Sequence, residues 1–139
     1  MITFKRFKFS HGVMIVIMLF LVNWTVDAGA YEMKSNKQNS VRIDVRPVQL
    51  LSGKPAKFEI RMNTHSVDLS YDMVAVSTLK DNQGREYRPI NWEGSSDDSH
   101  HRQGILEFPK LETNTASITL VIRKIAEVPE RIFEWSVKR

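Results

Sequence analysis

The sequence predicts an all-β fold: a seven-stranded immunoglobulin-like antiparallel β-sandwich that follows an N-terminal signal helix. Three observations lead there. From residue 41 onward apolar and polar residues alternate in short runs, the period of half-buried strands. Turn-forming residues interrupt those runs at frequent intervals, and no stretch of the mature sequence sustains a helical period. Short strands with frequent turns in about 100 residues fit two packed sheets, with a small closed barrel as the alternative.

The chain opens with a basic lead, Lys5, Arg6 and Lys8, then an uncharged apolar run from Val13 to Val22. Asn23 and Thr25 break the run, and Ala28-Gly29-Ala30 supplies small residues where a signal peptidase cuts. Gly12 to Val26 spans about 22 Å as a helix. A bilayer core needs about 30 Å, which disfavours the other reading, an uncleaved membrane anchor. Residues 1–30 are therefore expected to be a signal peptide and the rest to be exported, to a periplasm or outside the cell. With the anchor retained, the domain would stay membrane-attached on the outer side.

Cleavage there leaves about 110 residues, the size of one domain. The chain has no Cys, so neither disulfides nor a lipidated cysteine contributes, and the fold must rest on its core. Of the excess of 20 Lys and Arg over 16 Asp and Glu, part belongs to the leader. Elsewhere the charges alternate in sign instead of forming a basic patch, which argues against a nucleic-acid partner.

Each element follows in order. Residues 31–39, YEMKSNKQN, are polar and predict a flexible arm, with the sandwich spanning 40–139. VRIDVRPV sets Val41, Ile43 and Val45 on one face, and Pro47 marks an edge or a bulge. After the SGKP turn, AKFEIRMN sets Ala56, Phe58, Ile60 and Met62 inward. DMVAVSTL reads as a central strand. Gly84 closes a hairpin into a fourth strand, Tyr87 to Trp92, weakened by Pro89. GILEFP is a fifth strand. ASITLVIR is a sixth, with Ile118, Leu120 and Ile122 on one face. RIFEWSV is the seventh: Phe133, Trp135 and Val137 point inward, and Arg131, Glu134 and Ser136 outward. Arg123 to Glu130 is read as a helical turn.

Strand reversal then sorts the loops. The connections between strands 2–3, 4–5 and 6–7 fall at one end of the domain. That end collects His65, His100 and His101, together with Asp68, Asp72, Glu93, Asp97 and Asp98. The opposite end has no histidine. Binding residues favour loops held by a rigid frame, and the stretch SSDDSHHRQG is longer than a hairpin needs.

Imidazole with carboxylate suits zinc or copper. His65, His100 and His101 are the candidate ligands, with Asp97, Asp98 or Asp68 as a further one. Trp92 and Asp68 are candidate partner-binding residues. The plainer alternative makes the histidines solvated or bonded to loop backbone, His65 a pin for its loop, and Asp68 and Asp72 turn formers.

The runs NTHSVDLSYD, YRPINWEG, HHRQGILEF and VPERIFEW resemble a group of small, uncharacterised exported bacterial β-sandwich domains. That resemblance spans most of the mature chain and implies export and the sandwich, with no activity attached. Periplasmic copper-carrier sandwiches are similar in size and export, but only Met33, Met62 and Met73 follow the leader and no methionine-rich loop supports that link.

The function expected from all this is an exported, non-catalytic binding or accessory domain. It would recognise another exported or membrane protein, or a divalent ion, through the His/Asp end. A purely structural interaction domain, pairing through its sheet edges, is the alternative. A hydrolase is the weakest reading: there is no G-x-S-x-G, H-E-x-x-H or phosphate-binding glycine loop, and Glu93 with Asp97 is the best carboxylate pair available.

Overall fold

The computed structural model describes residues 29–95 and 100–139. The leader up to residue 28, and with it the signal-helix expectation, lies outside the described residues, as do Asp97 and Asp98. The strands are β1 (Lys34–Gln38), β2 (Val41–Gln49), β3 (Pro55–Thr64), β4 (Ser77–Asp81), β5 (Glu86–Tyr87), β6 (Asn91–Gly94), β7 (His101–Lys110), β8 (Ser117–Ile125) and β9 (Val128–Ser136). One helical turn, α1 (Met73–Val76), precedes β4. Two antiparallel sheets result, ordered β1-β2-β3-β7-β6 and β5-β4-β8-β9. No helix among the described residues is long and apolar enough to cross a membrane.

The alternating residues meet between the sheets. Val41, Ile43, Val45, Phe58, Ile60, Met62, Leu106 and Phe108 come from the first sheet; Leu79, Ile118, Leu120, Ile122, Phe133 and Trp135 come from the second. Phe58 joins the layers. Its ring centroid lies 5.7 Å from that of Phe108 in its own sheet and 5.6 Å from that of Trp135 in the other. Burying each such ring is worth about 2 kcal/mol, so this aromatic row is a large share of what holds the sheets together.

The described residues form nine strands where the sequence predicted seven, and three local expectations fail as well. Lys34–Gln38, expected to be a flexible arm, is β1, paired along β2 from Lys34↔Val45 to Gln38↔Val41. It is an edge strand made wholly of polar residues, so it has no apolar alternation to read. The two-residue turn, Asn39 and Ser40, has φ of 47° and 64°, as a tight hairpin requires. The expected fourth strand is two: β5 pairs with β4, the chain bends at buried Pro89, and β6 pairs with β7 in the other sheet. The first half of DMVAVSTL is helical instead of extended, because the Asp72 carboxylate accepts from the N–H groups of Val74 and Ala75 as an N-cap.

Two further readings are corrected near the last strand. Arg123 to Glu130 is not a helical turn but the β8–β9 hairpin, closed by Ala126 and Glu127 at φ of 51° and 61°. Arg131 faces inward and is 1% exposed. It shares the parity of Phe133 and Trp135, and neutral oxygens accept from both of its Nη atoms, while the buried Nε has no hydrogen-bond partner among the described residues. Nη1 donates to Asn36 Oδ1 at 2.6 Å and Val41 O at 3.2 Å, and Nη2 to Gln38 O at 2.9 Å and Ile125 O at 3.5 Å. Burial pulls its pKa below the usual arginine value.

The outer face of the first sheet carries a charge ladder. Glu59 accepts from Arg46 at 2.6 Å and from Arg61 at 2.7 Å, and it is itself 8% exposed. In the β4–β5 turn, where Gly84 takes φ of 80°, the Asp81 carboxylate accepts from the N–H groups of Gln83 and Arg85, from Arg85 Nε and from Tyr87. The Arg61 hydrogen bond lowers the Glu59 pKa, with burial opposing and Arg46 assisting. Burial pushes Asp81 upward, but the Arg85, Gln83 and Tyr87 bonds outweigh it and leave the pKa lowered.

A carboxylate depressed in the folded state adds stability above its unfolded pKa and loses that contribution as pH falls through its folded one. Stability measured by urea unfolding is therefore expected to hold at neutral pH and to fall below about pH 4. Glu59→Gln and Asp81→Asn should each lower the neutral plateau and flatten the acid limb. An unchanged acid limb in both variants would contradict this account.

Candidate functional site

β3 ends and β7 begins side by side. Asn63 is paired with His101, and Thr64 N donates to His100 O at 2.9 Å. The backbone of position 65 therefore emerges beside positions 100 and 101, at the end that also holds the β1–β2 and β8–β9 turns. All three of these histidines are exposed.

The loop carrying His65 is heavily bonded. Thr64 Oγ1 accepts from the N–H groups of Ser66 and Val67, both at 3.3 Å, and Asp68 Oδ1 accepts from Ser70 N at 3.1 Å. Leu69 is fully buried. The Arg102 guanidinium donates to Leu69 O at 2.9 Å and to Tyr71 O, so β7 grips the loop from below. Tyr71 Oη accepts from Ala126 N at 2.9 Å, which ties the same loop to the β8–β9 turn. A loop with this many fixed points presents His65 in a defined place.

His101 is oriented too. Its Nδ1 lies 2.8 Å from Asn63 Oδ1, and with the amide oxygen facing the ring Nδ1 carries the proton. Beside it is a shallow depression of about 270 Å3 lined by donors and amides, among them Arg61, Asn63, His101 and Gln103.

Trp92 is half-buried, on the inward side opposite Leu106 and against the edge of the core. Its indole lies across Gly94 and Gly104, where a Cβ would come within 2.7 and 2.6 Å of the ring. The Arg102 guanidinium sits 5.3 Å from the ring centroid. Trp92 thus forms the wall on which Arg102 rests, and Arg102 holds the His65 loop.

The structure brings the backbones of His65, His100 and His101 together, seats Trp92 against Arg102, and uses Asp68 and Asp72 to cap N–H groups. Among the described residues no group of three or more His, Asp or Glu side chains is arranged to hold a metal ion. Glu93 is exposed on β6, and its expected partner Asp97 lies outside the described residues. The sequence reading missed Asn63, Tyr71 and Arg102. Asn63 could have been found from register, as the residue opposite the first histidine of β7. The targets of Tyr71 and Arg102 are main-chain groups of other loops, which leave no side-chain pattern to find.

No family model matches the chain, and no curated protein does. A solved structure of a DUF4426 family protein from Pseudomonas aeruginosa PAO1 is similar at a TM-score of 0.45 and 10% identity, over 75% of this chain and 91% of that one.

Proposed function

We propose that this chain is an exported, non-catalytic recognition domain on an immunoglobulin-like sandwich frame, and that it binds a partner protein through the end bearing His65, His100 and His101. The observation that carries the reading is the fixed loop: Thr64 braces it from within, and bonds from two separate elements, β7 and the β8–β9 turn, hold residues 64–72 while exposed imidazoles project from it and its neighbour. Pre-ordering of this kind lowers the entropic cost of binding. The donor-rich depression beside His101 suits acidic or carbonyl groups on a partner.

Strand order supports the frame. With β1 set aside, β2-β3-β7-β6 facing β5-β4-β8-β9 follows the immunoglobulin order A-B-E-D facing C′-C-F-G. At the proposed export boundary, the Tyr31 hydroxyl donates to Leu50 O at 2.6 Å and accepts from Lys138 N at 2.9 Å, and Lys138 Nζ donates to Gly29 O, so the first residue after the leader reading is tied to the fold.

A photo-crosslinking residue placed at position 65 or 101 in exporting cells should give a discrete protein adduct, and one at Thr113, at the other end, should not. Alanine at all three histidines should abolish partner binding while costing only about 1 kcal/mol of fold stability. Equal adducts from both ends, or none, would remove the partner reading.

One observation favours a second reading, a zinc or copper site: the Asn63 bond to His101 Nδ1 is the kind of outer contact that orients a metal-binding imidazole toward coordination by Nε2. A rise in melting temperature with zinc or copper that His101→Ala removes would replace the partner reading with this one.

A further inference from the structure

We propose that the open edge of β9 is a second docking site, which takes an extended strand of a partner carrying a basic-apolar-basic pattern. Three of the four sheet edges are short: β5 has 2 residues, β6 has 4 and β1 has 5. β9 has 9 residues and, among the described residues, pairs along its length with β8; just past its end Lys138 is bridged to Leu51 and the Trp135 indole donates to Glu32 O, so the open stretch is Glu130–Glu134. Proteins ordinarily blunt edges because a long unpaired one recruits another strand.

The hydrogen-bond phase shows which groups face outward. Asn82 N donates to Ser117 O at 3.1 Å and Val137 N donates to Ala116 O at 2.8 Å. Alternate residues of β8 therefore face β4 and β9, and Phe133 and Trp135 of β9 bond back to β8. The N–H and C=O groups of Ile132 and Glu134 consequently point away from the sheet. A groove of about 670 Å3 begins at Glu134 and continues past the end of this stretch, lined by Tyr31, Glu32 and Lys34, by Ser117 to Thr119 of β8 and by Trp135 and Ser136.

Side chains select the occupant. Ile132 is 54% exposed on the outer face, with Glu130 and Glu134 two residues to either side of it, also exposed. Among the described residues Glu130 has one long contact, Arg123 at 3.3 Å, and Glu134 one, Thr119 at 3.4 Å. A strand laid against this edge would set alternate residues opposite Glu130, Ile132 and Glu134, where a base, an apolar residue and a base complement them. A second copy of this chain is disfavoured. Two β9 strands meeting antiparallel about Ile132 would set Glu130 of each against Glu134 of the other, acid opposite acid.

The test uses the full chain and two synthetic peptides, Thr-Lys-Thr-Val-Thr-Lys-Thr and its counterpart with Glu for both Lys. The basic peptide should bind saturably, at least about tenfold tighter than the acidic one, and should slow amide exchange at Ile132 and Glu134. The exposed pair Glu130→Lys and Glu134→Lys should keep the fold and reverse the preference. Absence of binding at about millimolar peptide, equal binding of the two peptides, protection mapping to another edge, or an unreversed preference would each overturn the proposal. Self-association through Ile132 in sedimentation would overturn it as well.

Discussion

Arg131→Ala is expected to lower stability by about 4 kcal/mol and to release the amino-terminal strand before the rest of the domain unfolds. The guanidinium donates to four oxygens on three elements: Asn36 and Gln38 on β1, Val41 on β2 and Ile125 at the end of β8. Hydrogen bonds from a charged donor are worth about 1.5–3 kcal/mol each, and they do not add fully. Truncation also leaves buried carbonyls without a donor and a cavity where the side chain lay. The change removes a large part of a stability that is ordinarily about 5–15 kcal/mol. Because half of the acceptors belong to β1, amide exchange there should quicken more than in β3 or β8. Arg131→Met separates the contributions: it refills the space but supplies no donor, so it should fall between wild type and alanine. If the alanine variant unfolds within about 1 kcal/mol of wild type, the guanidinium is not the clamp described here.

The loop end could be read in advance because two errors in the strand count left direction intact. The extra strand β1 lies ahead of β2 and shifts nothing after it. β5 and β6 replace one expected strand, but they follow each other in the same direction across a bend at Pro89, so the chain still arrives at β7 from the expected end. Ala56, Phe58, Ile60 and Met62 could be placed inward because they line one face of a strand in strict alternation, and all are fully buried. The same rule places Arg131 inward with Phe133 and Trp135. Chemical type argued the other way, and the parity of the strand prevailed because neutral oxygens were available to accept from both Nη atoms. The grip of Arg102 on Leu69 O and Tyr71 O was not legible, since carbonyls are identical at every position and only the fold decides which one a side chain meets. The edge of β9 lies between these cases. Its alternation is plain in RIFEWSV, but that no described strand lies beyond it is a property of sheet order.

Gly104→Ala should cost about 3 kcal/mol, the upper end of what an added methyl does in a tight site. A Cβ there would lie 2.6 Å from Trp92 Cζ2, 2.7 Å from Glu93 O and 2.7 Å from Gly94 Cα. A ring can tilt, but two of these three atoms are backbone of β6, so the strand itself must move away from β7. Gly94→Ala meets the same ring at 2.7 Å and Gln103 O at 2.8 Å, so it should behave alike. The effect should also reach the histidine end. Trp92 is the surface on which the Arg102 guanidinium rests, and Arg102 holds Leu69 and Tyr71 in place. Displacing the indole should therefore speed amide exchange in residues 66–72 and weaken partner capture, though no histidine is changed. A double-mutant cycle with Trp92→Ala isolates the ring's share. Removing the indole should relieve part of the Gly104→Ala penalty and leave the backbone part, with a coupling of about 1 kcal/mol. Full additivity would mean that the ring is not seated on the two glycines, and the path from Trp92 through Arg102 to the His65 loop would lose its first step.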